Sequence, residues 1–237
     1  MEIATDRRLF LGGVVAFAAL PGASLTEPDL TDPAAIQAHV EGLIHEFLDR
    51  MPGTQDLEAP SVNVAFTPGL SWMSSTRPHV MHIAAWEQCP PPVQAFFASV
   101  QDNSAGGDAA DFYRAGFYNF LTPHEMSHFV DYQRGQGPTA SQRYESELRG
   151  NRVAIAFWMG RPGGLDWLTG FVPQIEAALA RLPVPVPAGE DATAYFNANY
   201  QTLLANPVSY AWFQWRMVLN AWARRDEADF ATLIGRD

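Results

Sequence analysis

Apolar residues recur at helical spacing along most of the chain and alternate with polar residues in only two short segments. Asp32 and Pro33 can start a first helix, with the aspartate as N-cap and the proline in the first turn. The apolar positions of that helix recur every three or four residues: Ile36, Val40, Ile44, Phe47 and Met51. Segments 61–66 and 79–86 alternate as strands do. The pattern therefore predicts an α+β fold that is mostly helical and has a small sheet.

Further helices are predicted over residues 91–100, 117–132, 171–181, 193–204 and 208–223, with another that follows Gly137-Pro138. Residues 182–187 place a proline at every second position, which predicts an extended connector. The sequence shows no internal repeat and no second unit. Residues 25–237 are therefore predicted to form one domain.

The N-terminus resembles a twin-arginine export signal. Arg7 and Arg8 precede an apolar run over residues 9–20, and small residues follow at 21–24. The resemblance implies that residues 1–24 are a signal peptide cleaved near 23–25 and that the mature protein is periplasmic or secreted. The run is short for a membrane span, so no stable membrane insertion is expected after cleavage. The alternative is an N-terminal helix or an uncleaved anchor.

Composition narrows the classes of partner. The formal net charge is −11, and the chain contains no lysine, which argues against binding to nucleic acid or to anionic membranes. A hydrophobic fraction of 47% is enough for a sizeable core. Cys89 is the only cysteine, so an intramolecular disulfide is excluded and a structural, partly buried thiol is expected.

The motif with the most chemical content is His124-Glu125-Met126-Ser127-His128. Histidines four residues apart lie on one face of a helix, where both imidazoles can reach one metal ion. The intervening Glu125 can bind a water molecule on that metal. Pro123 permits two local structures: Thr122 starts a new helix with Glu125 as a capping residue, or the proline lies within a longer helix that begins near residue 109. The alternative to a metal site is a pair of surface histidines.

A catalytic zinc ion needs a third protein ligand, and two glutamates compete for that role. Glu147 follows His128 with 18 residues between them, enough for a turn and a second helix. Asn151 lies one turn further on the same face and can accept the second N–H of a ligand histidine. Glu145 is the rival, about 200° away around the helix.

These residues resemble the gluzincins, the zinc peptidases that include thermolysin, over roughly residues 117–159. The resemblance implies a zincin-like fold, zinc bound by His124, His128 and Glu147, and Glu125 as the general base. Asn151 departs from the family, which usually has an aspartate there. By the same resemblance, segment 79–86 is the edge strand beside the motif helix that pairs with extended substrate.

A tyrosine elsewhere in the chain should then donate to the oxyanion, with Tyr210 the first candidate and Tyr144 the second. The predicted substrate is a peptide or protein. Two other functions stay open: a hydrolase for a non-peptide amide, and a non-catalytic binding module that zinc stabilises. His79 and His82 are alternative candidates for metal ligands, although solvated or hydrogen-bonded histidines are the commoner case in a strand.

Overall fold

The computed structural model describes residues 30–53, 57–101 and 108–235. Helices make up most of this part of the chain: α1 (Pro33–Asp49), α2 (Pro91–Val100), α3 (Ala109–Arg114), α4 (Leu121–Gln133), α5 (Arg143–Met159), α6 (Gly164–Leu179), α7 (Ala192–Leu204), α8 (Pro207–Ala223) and α9 (Phe230–Ile234). Three strands form one sheet: β1 (Ser61–Val64), β2 (Ser71–Met73) and β3 (Val80–Ile83). The predicted class, a mostly helical α+β fold, is confirmed.

The sheet is mixed, and β3 is its central strand. β1 runs parallel to β3 on one side, and β2 runs antiparallel to it on the other. The prediction that segment 79–86 is the edge strand beside the motif helix was therefore wrong. That edge is β2, which packs against α4. The hydrophobic pattern missed β2 because three residues are too few to establish an alternation.

The helix that carries the motif begins well before it. From Ala109 to Gln133 the chain is helical throughout, and a π-helical turn, Ala115–Phe120, joins α3 to α4. In this turn the Leu121 N–H reaches back five residues to the Gly116 carbonyl. Thr122 does not cap a new helix, because its hydroxyl donates to the Tyr118 carbonyl at 2.8 Å. Of the two local structures that the sequence permits at Pro123, the longer helix is the one observed.

Helix α5 is surrounded by α4, α6, α7, α8 and α9. It lies against α4 on one side and against α8 on another, and α7 contacts both α5 and α8. α1 covers β1 and α4. α6 begins at Gly164, earlier than predicted, because Gly163 takes a left-handed conformation (φ 73°) that turns the chain directly into the helix. Cys89 is buried, as expected for a structural thiol.

The predicted signal peptide, residues 1–24, lies outside the described residues. Within the described ranges, no helix combines the length and the apolar character that a membrane crossing requires.

Candidate metal centre

Three side chains from two neighbouring helices converge in the interior. His124 and His128 lie one turn apart on α4, and Glu147 reaches them from α5. The two Nε2 atoms are 3.1 Å apart, and Glu147 Oε2 lies 3.3 Å from Nε2 of His124 and 3.8 Å from Nε2 of His128. The three residues that the sequence singled out as ligands thus form one group that can hold a metal ion.

The spacing of these atoms fits a tetrahedral cation. Zinc–ligand bonds of about 2.0–2.2 Å place neighbouring ligand atoms roughly 3.3 Å apart. The three measured separations of 3.1, 3.3 and 3.8 Å lie around that value. Among the described residues, no fourth His, Cys, Asp or Glu side chain joins the group. Three protein ligands are the number typical of a catalytic zinc site, whereas a structural site has four.

Asn151 determines which nitrogen of His124 faces the centre. Its Oδ1 lies 3.1 Å from His124 Nδ1, and its amide nitrogen donates to the Glu147 carbonyl at 3.1 Å. His124 therefore donates through Nδ1–H and keeps a lone pair on Nε2. That lone pair faces both a second imidazole nitrogen and a carboxylate oxygen, an arrangement that needs a cation or a proton among them.

The two rival glutamates of α5 differ in burial. Glu147 is 9% exposed and points into the centre, whereas the Glu145 side chain is exposed to solvent. Gly150 allows α5 to come this close to α4. A Cβ at position 150 would lie 2.8 Å from Cε1 and 2.9 Å from Nδ1 of His124. Sequence reasoning did not single out Gly150, because a glycine within a helix has no local signature of close approach.

Glu125 lies beside the ligand group without belonging to it. Its side chain is buried, and Oε2 accepts a hydrogen bond of 3.0 Å from the backbone N–H of Met73 on β2. The carboxylate is therefore not used as a helix cap. The contact ties Glu125 to the edge strand, the part of the sheet that packs on α4.

Burial and mutual charge determine the protonation of this cluster. Burial raises the pKa of Glu125, although His128 and His124 oppose that rise. Burial would also raise the pKa of Glu147, but hydrogen bonds with His124 and His128 outweigh it and hold the pKa well below the usual range. For His128 burial acts to lower the pKa, yet the hydrogen bond and charge of Glu147 raise it to about 9. A divalent cation would balance the two carboxylates directly, because metal-bound histidines are neutral.

Gln214 and Tyr210 join the centre from α8. The Gln214 amide nitrogen donates to Glu147 Oε2 at 2.8 Å and to the Tyr210 hydroxyl at 2.9 Å. The Asn151 amide nitrogen lies 3.4 Å from Gln214 Oε1. Gln214 therefore connects three residues: the third candidate ligand Glu147, the residue Asn151 that orients His124, and the predicted oxyanion donor Tyr210.

Tyr200 on α7 is a second hydroxyl at the centre, and its O–H donates to Glu147 Oε1 at 3.4 Å. Tyr144, the other predicted donor, instead packs its ring against Phe196. The sequence analysis missed Gln214 and Tyr200. For Gln214 a signal existed, since it follows Tyr210 by one helical turn on the same face.

The two strand histidines do not reach the centre. His79 Nδ1 lies 2.9 Å from the Ser74 carbonyl oxygen, and the His79 ring packs against Phe129. His82 stacks on Trp72 with ring centroids 3.9 Å apart. The structure therefore does not bring them together with the His124 group as metal ligands.

Comparison with known proteins gives no match: no family model fits the chain, and no curated protein or solved structure is significantly similar to it. The geometry alone defines the class of site, a buried His-His-Glu group with a non-ligating glutamate beside it.

Proposed function

We propose that the protein is an exported zinc metallohydrolase that cleaves peptide bonds. The observation that carries the proposal is Glu125. It is a buried carboxylate, adjacent in sequence to a ligand, that stays outside the three-ligand group. Burying a carboxylate costs free energy that must be offset by a counter-charge or retained for a function. A general base beside an activated water is the function that this position suits best.

The roles of the other residues follow from their contacts. Zinc held by His124, His128 and Glu147 would supply an activated water and an electrophile for the scissile carbonyl. Glu125 would accept a proton from that water and pass it to the leaving amine. Tyr210, tethered by Gln214, is the proposed donor to the tetrahedral oxyanion.

The gluzincin resemblance, the zincin-like single domain over residues 25–237 and the periplasmic or secreted location belong to the same proposal. The support for export is the sequence at Arg7 and Arg8 with the apolar run behind it. Extended substrate would pair with the β2 edge, because β2 rather than β3 borders α4.

A second candidate is a non-catalytic module that zinc stabilises. The burial of the ligands favours it: His124, His128 and Glu147 are only 1%, 7% and 9% exposed. Such limited access would also suit a small non-peptide amide better than a protein chain. The peptidase proposal requires that replacing Glu125 reduce the rate of peptide cleavage, whereas a non-catalytic module cleaves no peptide at all.

The deciding experiment compares Glu125→Gln with the matched control Glu145→Gln, an exposed glutamate of α5. Metal analysis of the mature protein comes first, followed by cleavage of a peptide library with and without chelator. Glu125→Gln should keep its zinc and its fold but lose activity by about 10²- to 10⁴-fold. The control should keep both zinc and activity. A zinc-loaded wild type that cleaves no peptide in the library would favour the binding module or the non-peptide amide.

A further inference from the structure

Arg143 is the first residue of α5 and lies at the edge of the candidate metal centre. Its side chain is partly exposed, and the guanidinium carbon stands 4.3 Å from the centre of the Tyr200 ring. The hydroxyl of that ring lies 3.4 Å from Glu147 Oε1. A single aromatic ring therefore separates the positive charge of Arg143 from a ligand of the centre.

Arg143 has no acidic partner among the described residues. Most arginines in this part of the chain do have one: Arg50, Arg114, Arg149, Arg152, Arg161, Arg224 and Arg225. Among the arginines without such a partner in this part of the chain, Arg143 is the one that stacks on a ring whose hydroxyl contacts Glu147. The position does not favour a stabilising role, because a cation in the first turn of a helix opposes the helix dipole.

We propose that Arg143 binds a carboxylate group of the substrate, which makes peptides with a carboxylate near the scissile bond the preferred substrates. This inference rests on the proposed function. Stacking on Tyr200 holds the guanidinium plane, and its N–H groups stay free at the edge to pair with both oxygens of a carboxylate. An extended residue spans about 3.3 Å. The distance from the Arg143 guanidinium to the candidate metal centre, across one ring and one hydrogen bond, then corresponds to two or three residues of extended peptide.

The charge of Arg143 also answers an electrostatic difficulty. Glu125 and Glu147 would repel an incoming carboxylate, and bound zinc offsets only the charge of those two residues. The cation of Arg143 beside Tyr200 supplies a local attraction that opposes the net negative charge of the protein. The charge of Arg143 also acts on the neighbouring Tyr132. Burial raises the pKa of that tyrosine to about 12, and Arg143 opposes the rise.

The test measures binding to zinc-loaded Glu125→Gln, which should hold peptides without cleaving them. One acetylated tetrapeptide is compared in three forms by calorimetry: a free C-terminal carboxylate, a C-terminal amide, and an amide whose last residue is glutamate. The carboxylate forms should bind about 10- to 100-fold tighter than the neutral amide. Adding Arg143→Met should reduce that preference to less than about threefold. Arg143→Lys keeps the positive charge but loses the planar pair of N–H donors that can bind both carboxylate oxygens, so it should keep only part of the preference.

The matched control is Arg216→Met on α8. Arg216 also stacks on an aromatic ring, that of Trp212 at 5.1 Å, and likewise has no acidic partner among the described residues. This variant should keep the full carboxylate preference. Equal zinc content and equal melting temperature show that each variant is folded. If Arg143→Met does not fold, the partial loss in Arg143→Lys decides the question.

Each outcome has a distinct meaning. Equal binding of acid and amide forms, or a preference that survives in both Arg143 variants, overturns the carboxylate site. Tighter binding of the free terminus than of the glutamate amide identifies the α-carboxylate as the recognised group, and the reverse identifies a side chain. Wild type that cleaves acid and amide equally well contradicts the role of Arg143 and leaves the peptidase proposal standing. Wild type that prefers the acid in binding but cleaves no form contradicts the peptidase proposal alone.

Discussion

Replacing Gly150 by alanine tests whether close helix approach places His124 at the centre. The added Cβ would lie 2.8 Å from Cε1, 2.9 Å from Nδ1 and 3.0 Å from Nε2 of the imidazole. Ordinary carbon contacts are about 3.5–4.0 Å, so the ring or the helix must move by roughly 0.7 Å. Metal–ligand distances tolerate about 0.2 Å, so the movement exceeds what the centre can absorb.

Two energies of opposite sign compete in Gly150→Ala. Alanine in a helix interior is more stable than glycine by about 0.5–1 kcal/mol. Forced overpacking of an interior costs about 1–3 kcal/mol. We expect a net destabilisation of up to roughly 2 kcal/mol, since the contact is with a ring held on both sides. Zinc affinity should fall by about 10- to 100-fold, comparable to the loss of a residue that orients a ligand.

Two other helical glycines provide matched controls for the Gly150 experiment. Gly42 in α1 and Gly170 in α6 are exposed, and a Cβ added at either position meets no atom within 4 Å. Their alanine variants should gain about 0.5–1 kcal/mol and leave zinc binding unchanged. Zinc affinity is measured by competition with a chelator, and stability by urea denaturation. If Gly150→Ala behaves like the controls in both assays, contact with residue 150 does not position His124.

Three further predictions concern the ligands and the N-terminus. Glu147→Ala should lose stoichiometric zinc, measured by atomic emission, whereas Glu145→Ala should keep it; the opposite result would exchange their roles. The pKa of His128 near 9 means that the metal-free protein carries a proton there at pH 7. Because zinc binds neutral imidazole, binding should release about one proton at pH 7, and affinity should rise about tenfold per pH unit up to pH 9. Calorimetry in buffers of different ionisation enthalpy measures this release, and heats that do not depend on the buffer would contradict it. Replacing Arg7 and Arg8 by lysine should block export, and mass spectrometry of the exported wild type should find a new N-terminus near residue 25; an uncut exported chain would refute the cleavage prediction.

The candidate metal ligands could be predicted because their arrangement is largely local. Two histidines four residues apart share a helical face wherever the helix lies, so His124 and His128 required only a helix. Glu147 was harder, yet its choice over Glu145 followed from Asn151 on the same face one turn later. The helical periodicity of α1, α2, α7 and α8 was read from the sequence for the same reason.

Features that depend on distant packing could not be predicted. Gln214 reaches Glu147 only because α8 lies against α5. Its position one turn after Tyr210 indicates a shared helical face but not the contact with Glu147. The order of the strands depends on which of them borders α4, and β2 is too short to show a pattern. Tyr200 and Arg143 meet across two helices, so their pairing appears only in three dimensions.

The π-helical turn before the motif has a consequence for how this chain can be compared and altered. Such a turn holds one residue more than the same length of α-helix, so it amounts to an insertion that leaves the helix unbroken. Deleting one residue from Ala115–Phe120 would restore regular winding and leave the orientation of α3 relative to α4 nearly unchanged, because the turn already absorbs the extra residue. The buried pair Phe112 and Tyr113 would then stay in the core, and His124 would keep its place. Relatives that lack the turn would align with this chain only across a one-residue gap inside a helix.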